Sequence, residues 1–219
     1  MTKQIPDKVL YNNQEFILAG LKGHGLFKPI DFGISPEMTG IATACYRGYF
    51  CKYACMDNKL FLVELSVIQS NHERLPLIEG ISAESDDFLF SRYQNLKIPC
   101  PLSGGLLIVQ NPITHPGHFP NPIEFSEVVE LTFEQGFLQN KIDHSTKMAE
   151  LRQRVDELRK YSKPDSDLLS VISKWSSSPD KLSNQEQKKL IGYRSEVEKI
   201  HELEWSFVSN YEQQPEIQK

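Results

Sequence analysis

The feature that most constrains this chain is a change of hydrophobic period near residue 142. From residue 9 to residue 142, short apolar runs are separated by Gly, Pro, Asn and Asp, the pattern of antiparallel β structure. Beyond it, apolar residues recur at spacings of three and four, the period of an amphipathic helix. Side chains alternate on a strand but share a face at i, i+3 and i+4 on a helix, so neither half suits the other's backbone.

Strands are predicted over 9–11, 15–19, 40–56, 59–69, 75–80, 105–110, 125–133 and 137–142. Three hairpins join them. "YACMDNKLFLVEL" turns at Asp57-Asn58, and "VLYNNQEFIL" turns at Asn12-Asn13. Both residue types tolerate the positive φ angles of a type I′ turn. "VVELTFEQGFLQNKI" offers a three-residue loop of Glu134, Gln135 and Gly136. Helix signals follow. "HSTKMAELRQRVDELRKY" places Met148, Leu151, Val155 and Leu158 on one face, with Ser145 at the cap position. "PDSDLLSVISKW" is a shorter helix, and Ser183-x-x-Glu186 is a capping box that opens a helix of about 25 residues.

The expected class is therefore α+β: an antiparallel β-sheet or partly open barrel over 1–143, then about three α-helices over 144–219. The helices either pack on an open face of the sheet as one domain, or form a helical hairpin with a partner-binding surface.

Charge narrows the partners. Residues 1–143 carry 11 basic and 16 acidic residues, and residues 144–219 carry 13 of each. Neither part has the basic excess that nucleic acid or anionic lipid requires. The longest apolar islands, "LFLVEL" and "GGLLIV", fall far short of the roughly 18 residues of a membrane helix. The opening "MTKQIPDKVLYNNQEF" has no basic and apolar leader pattern, and the four cysteines are few for 219 residues, so a reducing cytoplasm is the expected location.

Three of those cysteines lie in "CYRGYFCKYAC". On one straight strand Cys45, Arg47, Tyr49, Cys51, Tyr53 and Cys55 share a face, but Cys51 and Cys55 are then roughly 13 Å apart and Cys45 and Cys51 roughly 20 Å. One zinc ion, which holds sulfur at about 2.3 Å, cannot gather them, and a disulfide is equally out of reach. They are expected to be structural. A bulge at Gly48 would instead move Cys45 to the other face. "NPITHPGHFPNP" holds His115 and His118 as an H-x2-H pair among four prolines, a surface loop that suits binding better than metal, since two ligands are too few. The spacing of Gly20, Gly23 and Gly25 in "GLKGHGLFKP" lacks the following helix of a phosphate cradle and suits a flexible loop. Arg47 needs an acidic partner if it is buried, with Glu127, Glu130 or Glu134 available, and Glu64 falls opposite Cys51 across a two-residue turn.

At "TACYRGYFCKYACMDNKLFLVEL", joined to "EVVELTFEQGFL", the chain resembles a set of uncharacterised bacterial proteins. They share a Trp- or Tyr-Arg-Gly-Tyr strand, a hairpin turn and a "KLYLV"-like return strand. The resemblance covers the β half and carries over no active-site residue. It is compatible with small proteins that neutralise or regulate partners.

The functional expectation is a non-enzymatic, immunity-like regulatory protein that acts through a protein partner, with no cofactor or metal implied. Its surface candidates are Arg47, Tyr49, Glu64, His115 and His118. Two alternatives stand beside it. One is a hydrolase or transferase whose site assembles from Arg47, Glu64, His115 and His118. The other is a small-ligand β-barrel with Tyr49, Cys51 and Tyr53 lining a cavity. Nothing in the residues indicates an oligomeric state.

Overall fold

The structure, a computed structural model, describes residues 4–36, 43–68, 75–85, 89–114, 119–177 and 182–211. The strands are β1 (Lys8–Tyr11), β2 (Gln14–His24), β3 (Tyr49–Met56), β4 (Lys59–Ile68), β5 (Glu84–Ser85), β6 (Phe90–Tyr93), β7 (Ile98–Pro99), β8 (Ser103–Pro112), β9 (Phe125–Glu134) and β10 (Phe137–Asp143). The helices are α1 (Ser145–Tyr161), α2 (Ser166–Ser177) and α3 (Asn184–Trp205). The α+β class holds, with the sheet first and the helices after it.

The strands form one sheet in the order β10-β9-β8-β2-β1-β3-β4-β6-β5, with β7 also on β4. β10 returns to β4 where Phe137 faces Lys59, and the Leu60 and Leu138 N–H groups donate to Gly136 O and Asn58 O at 2.9 and 2.8 Å. The sheet thereby becomes a partly closed ring. β1 and β3 run parallel while the other pairs are antiparallel, so the sheet is mixed. The long excursion between β2 and β3 supplies the crossover that a parallel pair requires.

All three hairpins turn on two residues with positive φ: Asn12-Asn13, Asp57-Asn58 and Gln135-Gly136. This backbone twist matches that of the flanking strands. The third loop is one residue shorter than predicted, because Glu134 pairs with Phe137 inside the ladder.

Alternation fills the ring. Leu106 and Ile108 of β8, Val129, Leu131 and Phe133 of β9, and Leu62 and Leu65 of β4 all point into the main core. Each such side chain contributes about 1.5–3 kcal/mol of burial, which makes this interior the chief source of stability. The intervening residues Leu107, Val109 and Val128 point outward, where Met148 of α1 and Val208 and Tyr211 beyond α3 cover them. α3 packs on α1 through Ile200 and Val155, and α2 packs on α3 through Val171 and Leu190.

Local details correct several expectations. The strand predicted over 40–56 begins only at Tyr49, because the Gly48 N–H closes a turn onto Cys45 O and Gly48 takes φ 75°. Cys45 consequently leaves the face of Cys51 and packs with Ile68 in a separate cluster. Residues 40–42 and 69, at the edges of two predicted strands, lie outside the described residues. Residues 75–80 form a turn closed by Ile78 and Ile81 rather than a strand. Gly20 and Gly23 belong to β2 and not to a loop. At α1 the cap residue is His144. Asp143 Oδ1 accepts from the Ser145 N–H at 2.8 Å, while Ser145 Oγ accepts from the Val128 N–H of β9 at 3.1 Å. The capping box at Ser183 and Glu186 forms as predicted. None of the described helices is long and apolar enough to cross a membrane.

Candidate functional site: a polar cleft between sheet and helices

The outer face of β2, β8 and β9 is apolar at its centre, where Ala19, Leu107, Val109 and Val128 lie, and turns polar where Lys22, Gly105 and Glu130 meet. Lys22 pairs with Gly105 across β2 and β8, and Glu130 lies opposite Leu107 across β8 and β9. Two glycines open space here. A Cβ at Gly105 would stand 3.3 Å from Glu130 Oε1, and one at Gly20 would stand 2.8 Å from the Cβ of Tyr211. Their bare backbones let the Glu130 carboxylate lie along the sheet and let the segment after α3 press onto β2.

α1 leaves β10 at His144, so the imidazole is delivered to Glu130: Nε2 donates to Oε2 at 2.9 Å. Lys22 Nζ lies 3.8 Å from Glu130 Oε1 and 4.1 Å from the centre of the Tyr211 ring. The Tyr211 hydroxyl interacts with the same carboxylate. Phe207 stands edge-on to His144 at 4.9 Å between centroids, and Lys147 Nζ sits 5.0 Å from its ring centre. These groups border a cleft of about 480 Å³, whose α1 wall carries Lys147, Glu150, Leu151 and Arg154 and whose opposite wall includes Asn210.

The electrostatics follow from this packing. Partial burial raises the Glu130 carboxyl, but bonds from His144 and Tyr211 and the charge of Lys22 outweigh it and hold the group below the ordinary carboxylate value. Burial, with the adjoining Glu130 charge, pushes the Tyr211 hydroxyl well above the ordinary phenol value. Glu130 is therefore an anion at neutral pH and Tyr211 a protonated donor. The cluster holds the floor of the cleft in place, and Lys147 and Arg154 stand on the α1 wall above it.

The sequence-predicted candidates lie elsewhere. Arg47 donates to Asp7 Oδ1 at 2.6 Å, not to Glu127, Glu130 or Glu134. Asp7, 1% exposed, also accepts from the Cys51 N–H at 2.8 Å, which ties the chain before β1 to β3. Arg47 lies over the Tyr49 ring at 4.6 Å, and burial pushes the Tyr49 hydroxyl up to about 12. Glu64 faces Lys52 and not Cys51, because the β3–β4 register shifts between Lys52 and Tyr53. It joins a surface ladder in which Lys52 reaches both Glu15 at 2.8 Å and Glu64 at 3.7 Å, and Lys8 reaches Glu15 at 2.6 Å. Cys51 and Tyr53, each 1% exposed, are packed into the ring interior. His115 and His118 lie outside the described residues. The structure thus brings Arg47 and Tyr49 together and leaves Glu64 in a separate network. Among the described residues, no three His, Cys, Asp or Glu gather as a metal site.

Lys22, Glu130, His144 and Tyr211 do not stand out together in the sequence, since they come from four distant segments. The one local signal is Gly20, two residues before Lys22 in the apolar run 16–21, a mark of close approach by another part of the chain.

Compared with known proteins, the chain matches no family model, no curated protein and no solved structure.

Proposed function

We propose that the protein is a non-enzymatic binding protein that takes a small molecule in the cleft between the sheet and α1. The observation that carries this is the cleft itself: about 480 Å³ of space with an aromatic wall at Phe207, over a floor that Gly20 and Gly105 make possible. Such a volume lies in the range of small-molecule sites. The ligand role thereby moves from the ring interior, packed with leucines around Cys51 and Tyr53, to the outer face. A fragment library screened against the full chain by amide NMR tests it. Binding fragments are expected to shift Phe207, Asn210 and Tyr211 together, and a library whose binders leave these three unmoved would defeat the reading.

The protein-partner role keeps a support of its own. On α2 and α3, Leu169, Trp175 and Ile191 are 53%, 38% and 66% exposed. Exposed apolar groups of this size suit protein contact. For a cognate partner, the double variant Leu169→Glu with Ile191→Glu is expected to abolish complex formation on a sizing column. An undiminished complex would remove this second role.

A further inference from the structure

Resting on the cleft as a ligand site, we infer that its ligand carries one anionic group, a carboxylate or a phosphate, gripped by Lys147 and Arg154 of α1 beside the ring of Phe207. The basic side chains around the cleft divide into two sets. Lys22 is engaged by Glu130. Arg152 turns away and donates to the Ile123 and Phe125 carbonyls at 2.7 Å each, and Arg159 is paired with Glu204. Lys147 and Arg154 are exposed at the cleft wall, and neither has an ion-pair partner among the described residues.

Their placement follows from the helix. Residues 147, 151 and 154 succeed one another at spacings of four and three, one stripe of α1, while Met148 and Val155 take the adjoining buried stripe. Leu151 between the two cations gives the stripe an apolar centre. Glu150 is the open carboxylate of this wall and offsets one cation. With Lys22 balanced by Glu130, Lys147 and Arg154 against Glu150 leave an excess of one positive charge, so the wall suits a single anionic group. An arginine fork matches the planar geometry of a carboxylate or the edge of a phosphate.

The test uses benzoate, phenyl phosphate and neutral benzyl alcohol with the full chain, followed by amide NMR at Phe207 and Asn210. The comparison is between the natural protein, the double variant K147Q/R154Q and the control K188Q on the far part of α3. Lys147 and Arg154 are both exposed, so the double variant is expected to keep the wild-type spectrum outside the cleft. One of the two anions is expected to bind at least tenfold more tightly than benzyl alcohol, and the tighter one identifies the group. The double variant loses that tenfold while K188Q keeps it. Equal binding of charged and neutral probes, or binding unchanged in K147Q/R154Q, would overturn the anion and leave the cleft as a neutral-ligand site. No shift at Phe207 or Asn210 with any of the three would overturn the anion and count against the cleft itself.

Discussion

Two charged clusters sit on this β body, built from similar groups yet set in different surroundings. In the first, Asp7 faces Arg47 at 2.6 Å and takes the Cys51 N–H as well, in a setting where both side chains are 10% exposed or less. In the second, Glu130 gathers His144, Tyr211 and Lys22, but the cluster borders a cleft whose α1 wall still carries Lys147 and Arg154. The first is closed on itself: its charges are matched within the protein, and its work is to hold the parallel β1–β3 junction. The second has its floor settled and its wall in excess. The difference is that the first cluster leaves no charge over, whereas the second stands beside open volume and unmatched charge, which is why the proposed ligand site is placed there.

The sharpest way to break this contrast is Asp7→Ala. It leaves the Arg47 guanidinium buried without its partner, and the expected loss is about 3–5 kcal/mol of unfolding free energy in urea titration. A loss below 1 kcal/mol would mean that the first cluster is not closed. Next in size is Gly20→Ala, whose methyl must push Tyr211 off β2, at an expected cost of about 1–3 kcal/mol. The fluorescence of Trp205, which packs on the same patch, should change with it.

Glu130→Gln is expected to cost about 1.5–3 kcal/mol at pH 7, since it removes the charge from the bonds made by His144 and Tyr211 and replaces one acceptor oxygen by a donor amide. Here pH gives the sign. The carboxyl lies below its ordinary 4.5 in the folded chain, so its contribution is complete above that value and is lost as pH falls through the lowered one. The stability gap between the natural protein and Glu130→Gln should thus be wide at pH 7 and close as the solution is acidified below about 4.5. A gap that stays constant would remove the assigned partners. The smallest effect belongs to Glu15→Gln on the half-exposed ladder, about 1 kcal/mol or less and weaker in high salt.

Local chemistry made the hairpins legible. Asn12-Asn13 and Asp57-Asn58 are residue types that accept positive φ, and a two-residue turn follows wherever they join two β-rich runs. The helical periodicity at Met148 and Val155 was equally open to inspection, as was the capping box at Ser183. Errors arose where a long-range contact outcompeted a local pattern. The 40–56 run is β-rich throughout, yet its strand begins at Tyr49, because the segment before β1 takes the Tyr46 N–H with Gln4 and the Arg47 side chain with Asp7. Glu64 missed its expected place by one register shift inside β4, which no turn residue announces.

By itself, then, the sequence determined the two periods, the two-residue turns and the order of sheet before helices, because each depends on residues within a few positions of one another. Tertiary structure alone decided that the sheet bends into a ring at Phe137 and Lys59, that Asp7 answers Arg47 across 40 positions, and that Tyr211 descends on Gly20. Those pairings are set by the closing of the whole sheet and the seating of the helices upon it. The cleft is their by-product: its floor comes from β2 and β9, its wall from α1 and its far side from the segment after α3, and no shorter stretch of the chain contains it.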